Sequence, residues 1–303
     1  MKMGENERLL AIGNGNLRAT VSTTGAQLMS LALDGSEYLW QGDARWWPRR
    51  APVLFPIVGS LRPGTVSAAG PCPMGRHGVA RSQVFRVVEQ EAEHVVLECT
   101  ATQETLVAYP YRFRLRMSYA VKGPATLEQR FEVENEGGVA MPYVVGGHPA
   151  FALPLGGVGE TASAAFEGCT LEFARAWSAC SPTMVEGELL DFGQPIPVID
   201  NADRLPLRRE LFATDTIVLS DVPGRTVTLR DARNGRSARL DFPGFDYLGI
   251  WSATHGAAPF VAIEPWCGCA TATDEGTRLE QKRGMRLLAP GATATHAFTM
   301  TLA

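Results

Sequence analysis

The stretch Tyr111–Val121 constrains the fold of this 303-residue chain more than any other. Tyr111, Phe113, Leu115, Met117, Tyr119 and Val121 alternate with Arg112, Arg114, Arg116 and Ser118. Successive side chains of an extended backbone point to opposite faces, so this period describes one dry and one wet face of an antiparallel strand. After Gly123-Pro124 the pattern resumes, with Leu127, Phe131 and Val133 inward and Glu128, Arg130 and Glu132 outward. The break reads as a hairpin connection. Further strands are expected at Leu17–Val21, Gln83–Glu89, His94–Thr100, Thr216–Leu219, Arg225–Arg230, Ala238–Phe242 and Thr295–Leu302, many of them rich in residues that suit a pleated surface. Turn signals at Asp34-Gly35, Asn234-Gly235 and Pro243-Gly244 fall between such segments.

Helix is scarce by the same reading. The 31 glycines and 20 prolines interrupt most runs long enough to sustain one. Ala202–Phe212 is the one short helix expected, and Pro206 weakens it. Apolar residues form 45% of the chain and can fill a large core. No linker, low-complexity segment or repeat divides the sequence. The expectation is a single all-β domain over residues 1–303, a large antiparallel β-sandwich with few short helices.

Charge and cysteine usage narrow the function classes. The formal net charge is −4, without a basic stripe, so no nucleic-acid partner is expected. No apolar run approaches the ~18 residues that span a bilayer, so neither is a membrane. Met1–Leu10 is too polar for a secretory signal. Cysteines 72, 99, 169, 180, 267 and 269 lack a paired metal-ligand spacing, and Cys267 and Cys269 read as reduced thiols near a strand end. A cytoplasmic location is expected, with no metal.

Three segments break the alternation. In Ala51–Arg62 (APVLFPIVGSLR), two prolines within an apolar run suggest a rigid buried loop that delivers Arg62 to a defined place, followed by Gly75-Arg-His77-Gly-Val-Ala-Arg81. Gly78 would allow close approach to a ligand beside His77, which by itself could equally be a surface or capping histidine. In Gly146-Gly-His148-Pro-Ala-Phe151, a residue before proline is driven to extended geometry, so His148 projects from a sharp turn. In Phe260-Val-Ala-Ile-Glu264-Pro-Trp266, Glu264 ends an apolar strand, where burial would raise its pKa toward that of a useful base. The plainer alternative is a Glu at the core edge paired with an arginine. Trp46, Trp47, Trp251 and Trp266 could offer a sugar its stacking surface, or simply pack the core.

Taken together, APVLFPIVGSLR, His77-Gly-Val-Ala-Arg81, Gly-Gly-His148-Pro-Ala-Phe and Ile-Glu264-Pro-Trp resemble, in order and separation, the aldose 1-epimerase (galactose mutarotase-like) family from about Leu9 to Leu302. They are most similar to its shorter aldose-epimerase-like branch. The resemblance implies the β-supersandwich of that family and a mutarotase that interconverts the α and β anomers of a hexose without a cofactor. It implies Glu264 as base, His148 as acid, and His77 and Arg62 as groups that hold the sugar oxygens. Asp215 resembles the family's sugar-binding aspartate, or is a turn residue entering a strand, and Trp266 is a further candidate contact. The Asn-Arg and Tyr-Asp-His contexts of galactose mutarotase are absent, so galactose preference does not carry over. The implied partner is a small aldose, with the chain a monomer or homodimer.

Three other readings remain open. A hexose-6-phosphate 1-epimerase could use Arg49, Arg50 and Arg81 for the phosphate, although Arg49 and Arg50 could equally be solvated charges. A glycoside hydrolase needs two carboxylates, and only Asp215 could join Glu264. A sugar-binding or sensing protein on the same fold would not require a matched proton donor and acceptor.

Overall fold

The computed structural model describes residues 7–157 and 164–303. Residues 1–6 of the polar stretch Met1–Leu10 lie outside the described part. The alternating segment forms the strand Phe113–Val121, with every odd residue buried, hairpinned to Thr126–Asn135. These two sit in a nine-stranded antiparallel sheet ordered Leu189–Pro206, Cys169–Val185, Thr226–Asp231, Ser237–Asp241, Thr293–Leu302, Thr126–Asn135, Phe113–Val121, His94–Thr100 and Arg86–Gln90. Its wet face is laced by charges set opposite one another by register: Arg116 stands across from both Glu98 and Glu132 and bonds each, at 2.9 and 2.8 Å. Cross-strand pairs of this kind are worth about 0.2–1 kcal/mol apiece.

The second large sheet runs Ile217–Ser220, Tyr247–Trp251, Phe260–Trp266, Gly146–Gly147 and Val53–Leu54, and Ala150–Ala152 also pairs with Phe260–Trp266. A four-stranded sheet of Leu9–Gly13, Leu17–Ser22, Leu28–Leu33 and Ser36–Glu37 stands beside them. The two large sheets approach closely at Gly147, where an added Cβ would lie 2.5 Å from the Phe298 ring of the nine-stranded sheet. Phe113, Leu115, Phe131, Phe245 and Phe298 fill the space between layers. The architecture is the expected large antiparallel sandwich.

Several boundaries differ from expectation. Ala202–Phe212 is not a helix: residues to Pro206 continue the edge strand Leu189–Pro206, and only Arg209–Phe212 makes a 3-10 turn. Pairing with Cys169–Val185 (Thr170 opposite Pro206, Glu172 opposite Arg204) overrides the weak helical tendency. Pro206 is tolerated because it lies on a sheet edge. The strand predicted from Gln83 starts at Arg86, while His94–Thr100 falls where expected. Among the described residues the α-helix is instead Gln103–Ala108, held at its start by reciprocal bonds between Thr102 and Thr105. The strand carrying Glu264 does not stop at Ile263 but runs through Pro265 to Trp266.

Among the described residues no helix is long and apolar enough to cross a membrane. Cys267 and Cys269 are buried and not joined in a disulfide, and the Cys267 sulfur accepts the Val145 N–H.

Candidate active site

Glu264 and His148 are brought together by strand register. Phe260–Trp266 pairs antiparallel with the segment carrying the two glycines, Gly146 opposite Trp266 and Ala150 opposite Ala262. One register spans both pairs, so His148 falls opposite Glu264. The imidazole Nε2 lies 3.2 Å from Glu264 Oε1, with both side chains almost fully buried. Acid and base candidates are therefore side-by-side neighbours in direct contact, His148 between the short strands Gly146–Gly147 and Ala150–Ala152 and Glu264 on the strand beside them. Trp266 donates its indole N–H to Glu264 Oε2 at 3.2 Å. The Trp266 ring is itself wedged against Gly146 and Gly249, where added Cβ atoms would come within 2.8 and 2.4 Å of it.

Alternation along this strand separates two environments. Val261 and Ile263 enter the main core, while Phe260 and Ala262 join Trp40, Ala253 and Ala258 in a second apolar cluster flanked by Trp46, Trp47 and Trp251. Trp47 and Trp251, on the flank of that cluster, wall a cleft of about 170 Å³, the share of roughly six liquid waters. Glu264 and His148 lie at its floor with His77, Asp215, Trp47, Trp251 and Trp266 around them. Trp47 stacks on the His148 ring at 4.8 Å, and Trp251 meets it edge-on at 5.8 Å. Trp46 lies off the cleft, against Trp40 and under the Arg45 guanidinium.

His77 comes to the cleft on a tight turn. Its φ is +66° and that of Gly78 is +75°, two successive left-handed residues. A Cβ at Gly78 would lie 2.3 Å from the Phe55 carbonyl oxygen, so this glycine serves close approach to the buried Ala51–Arg62 segment, not to a ligand as the sequence suggested. The Gly59 N–H donates to His77 Nδ1 at 3.1 Å, leaving Nε2 to carry the proton in the neutral ring. The His77 and His148 rings meet edge-on at 5.8 Å. Gly78→Ala is expected to cost about 2 kcal/mol or more, from left-handed strain and the backbone clash. Urea unfolding measures it, and an unchanged midpoint contradicts it.

Arg62 does not line the cleft. Its guanidinium donates to the backbone carbonyls of Ala272 and, at 2.6 Å, Thr273, so it ties two loops together. The arginines that do line the cleft are Arg76 and Arg81. Arg76 pairs with Glu188 at 3.0 Å, and Glu188 also takes the Ser60 hydroxyl. Glu188 and Met184 come from the end of the long hairpin Cys169–Pro206, which thus reaches from the nine-stranded sheet to wall the cleft. Arg76 is adjacent to a recognised histidine and was available to sequence reasoning. Glu188 was hidden because the hairpin around Glu186-Gly187 was not identified. Asp215, at φ +78°, follows the 3-10 turn, accepts the Thr216 hydroxyl at 2.8 Å and lines the cleft.

Burial dominates the electrostatics. Desolvation pushes the Glu264 carboxyl well above the usual carboxylate range, despite the Trp266 hydrogen bond. The same cause lowers His148 to about 3 and His77 well below the usual imidazole value. The stable form of the pair is thus a carboxylic acid beside a neutral imidazole, one proton in all. Between about pH 4.5 and 6.5 the unfolded chain also holds one proton on this pair, on the histidine, so as long as the native carboxyl stays protonated the pair adds little pH slope there. Glu264→Gln removes the native proton and leaves His148 neutral. The unfolded state then binds one proton more, and stability falls toward acid about 1.4 kcal/mol per pH unit more steeply than in wild type. Urea midpoints across this range test it, and parallel curves contradict it.

The profile of the Aldose 1-epimerase family matches residues 8–301. Two forms of Protein LacX from Lactococcus lactis subsp. lactis, plasmid and chromosomal, are each 35% identical over 302 residues, covering 97% of this chain and 99% of theirs. Among solved structures, a galactose mutarotase related enzyme from Lactobacillus acidophilus superposes with a TM-score of 0.88 at 29% identity, covering 98% of this chain and 97% of that one. A galactose mutarotase-like protein from Lactobacillus casei ATCC 334 gives 0.84 at 28% identity, covering 98% of this chain and 100% of that one. The sandwich is that of the galactose mutarotase-like proteins. The chain belongs to the aldose 1-epimerase family.

Proposed function

We propose that the protein is an aldose 1-epimerase that opens and recloses the ring of a hexose. The observation that carries this reading is the buried contact between Glu264 and His148 at the floor of an aromatic-walled cleft. Mutarotation removes a proton from the anomeric hydroxyl and delivers one to the ring oxygen, then reverses both transfers after the aldehyde turns. In this reading the Glu264 carboxylate takes the O1 proton while the His148 imidazolium protonates O5. Once the ring is open, Glu264 holds a proton and His148 is neutral. That is the protonation favoured by burial in the free site, so the environment stabilises the open-chain stage. Hydrogen bonds from the sugar hydroxyls to the carboxylate offset its desolvation when substrate enters.

His77 Nε2–H donates to a sugar oxygen, and Asp215 accepts from sugar hydroxyls. Arg76, not Arg62, supplies the positive charge beside the reacting centre, fixed by Glu188. Trp266 positions Glu264 through its indole N–H, and Trp47 and Trp251 offer faces to the sugar C–H bonds. The proton pair distinguishes this reading from a sugar sensor, which gains nothing from it. The test is NMR exchange between α and β anomers of free hexoses with purified protein. Acceleration above buffer supports the assignment, and saturable binding without acceleration overturns it in favour of a sensor.

A further inference from the structure

A buried ionic cluster lies outside the cleft and takes no part in the ring-opening chemistry. Lys282 Nζ stands 3.4 Å from Glu275 Oε2, with the two side chains 3% and 9% exposed. Lys282 also donates to the Thr271 hydroxyl, which in turn donates to the Ser60 carbonyl at 2.6 Å. The Glu275 carboxylate accepts two backbone N–H groups, from Ala272 at 3.0 Å and Arg283 at 2.6 Å. Arg62 holds the same loop by the carbonyls of Ala272 and Thr273. Residues 271–275 are thus gripped by side chain, N–H and carbonyl alike.

Stability alone does not account for such a pair. Taking two charges out of water costs about as much as their attraction returns, and a well-packed apolar pair of similar size often serves the fold as well. What the pair supplies is position. One carboxylate fixes two N–H groups through charge-assisted bonds, and the ammonium fixes the carboxylate.

The gripped loop carries a wall of the cleft. Leu190, near the start of the strand Leu189–Pro206, docks on it. Its N–H donates to the Thr271 carbonyl at 2.9 Å, and its carbonyl accepts the Thr273 N–H at 2.8 Å. Leu190 and Ala272 are both fully buried at this junction. Two residues before Leu190 stands Glu188, exposed, left-handed at φ +60° and paired with Arg76 at 3.0 Å. The other anchor of Glu188 is the Ser60 hydroxyl, and Ser60 is tied through its carbonyl to Thr271. Both routes to Glu188 therefore lead back to the Lys282–Glu275 pair.

We infer that Lys282 and Glu275 are positioning residues that clasp loop 271–275, so that the docked hairpin end holds Glu188, and through it Arg76, in the sugar-binding wall. This rests on the ring-opening assignment above and deepens it. Neither residue lines the cleft. Glu264 and His148 are set instead by the pairing of Phe260–Trp266 with Gly146–Gly147 and Ala150–Ala152. Loss of the clasp therefore falls on sugar binding and spares proton transfer.

The experiment compares wild type with Lys282→Met and with Lys282→Met/Glu275→Gln, which leaves no buried charge without its partner. Anomer exchange by NMR, on the hexose that wild type turns over best, gives kcat and KM separately. The expected result is a KM at least fivefold higher with kcat within twofold of wild type. Added to Glu188→Gln, the same changes leave KM within twofold of Glu188→Gln alone, because the clasp acts through that residue. A lowered melting temperature with KM unchanged would make the pair merely structural and overturns the inference. A loss confined to kcat, or losses that multiply with Glu188→Gln, overturns it too. Where the lysine variants do not fold, Thr271→Val, which cuts the tie to Ser60, gives the same readouts. If wild type accelerates no hexose, the ring-opening assignment fails, and amide hydrogen exchange judges the clasp by itself. Faster exchange at Leu190 and Thr273 in the variants, with Phe113–Val121 unchanged, upholds it. Protection equal to wild type overturns it.

Discussion

Glu264→Gln is expected to slow the interconversion of aldose anomers by about 10³-fold while leaving the fold intact. Glutamine matches the size of the buried carboxyl and, like its protonated form, carries no charge into the site. It can accept the Trp266 N–H and reach His148, but it cannot take a proton from an anomeric hydroxyl. The expected signature is a fall in kcat with KM changed little, because ground-state contacts survive and the transition-state proton transfer does not. Polarimetry with the substrate that wild type turns over best reads this directly. A loss below tenfold would remove Glu264 from the role of base.

The second large effect concerns His148. His148→Gln is expected to lower kcat by about 10²–10³-fold, because water can protonate the ring oxygen but without a held donor. More telling is the double variant. Groups that pass one proton between them act as a unit, so Glu264→Gln/His148→Gln should be little slower than Glu264→Gln alone. Multiplicative losses would mean that the two residues act independently, which is inconsistent with a pair in contact at 3.2 Å.

The fold was legible because its main signal is local. Alternation in Phe113–Val121 and Thr126–Asn135 states a face, and the structure buries that face residue by residue. The long hairpin Cys169–Pro206 was not legible. Its strands are bulged, carry four prolines and bury little of their outer length, so no clean period survives. Pairing in space, not propensity, makes residues 202–206 extended. The grouping of the candidate residues was legible where a motif fixes both residue and backbone, as in Gly-Gly-His148-Pro and Ile-Glu264-Pro-Trp, which the structure brings to one cleft. Arg62 was misplaced because its segment is indeed a rigid buried loop, but that loop points the guanidinium to the carbonyls of a neighbouring loop. The charge beside His77 comes from Arg76, one residue away. Glu188 enters the cleft from more than a hundred residues further along the chain, a placement only tertiary structure reveals.

Gly146 and Gly147 give the second large sheet a place with no side chains, where Trp266 and Phe298 press in from either side. Main-chain pairing, not a loop, therefore sets how far the imidazole stands from the carboxylate. Under the proposed function, changes at the rim or in the hairpin end would retune which sugar is admitted while the spacing of Glu264 and His148 stays fixed. On that reading chemistry and selectivity would belong to different parts of the molecule, and one could drift without disturbing the other.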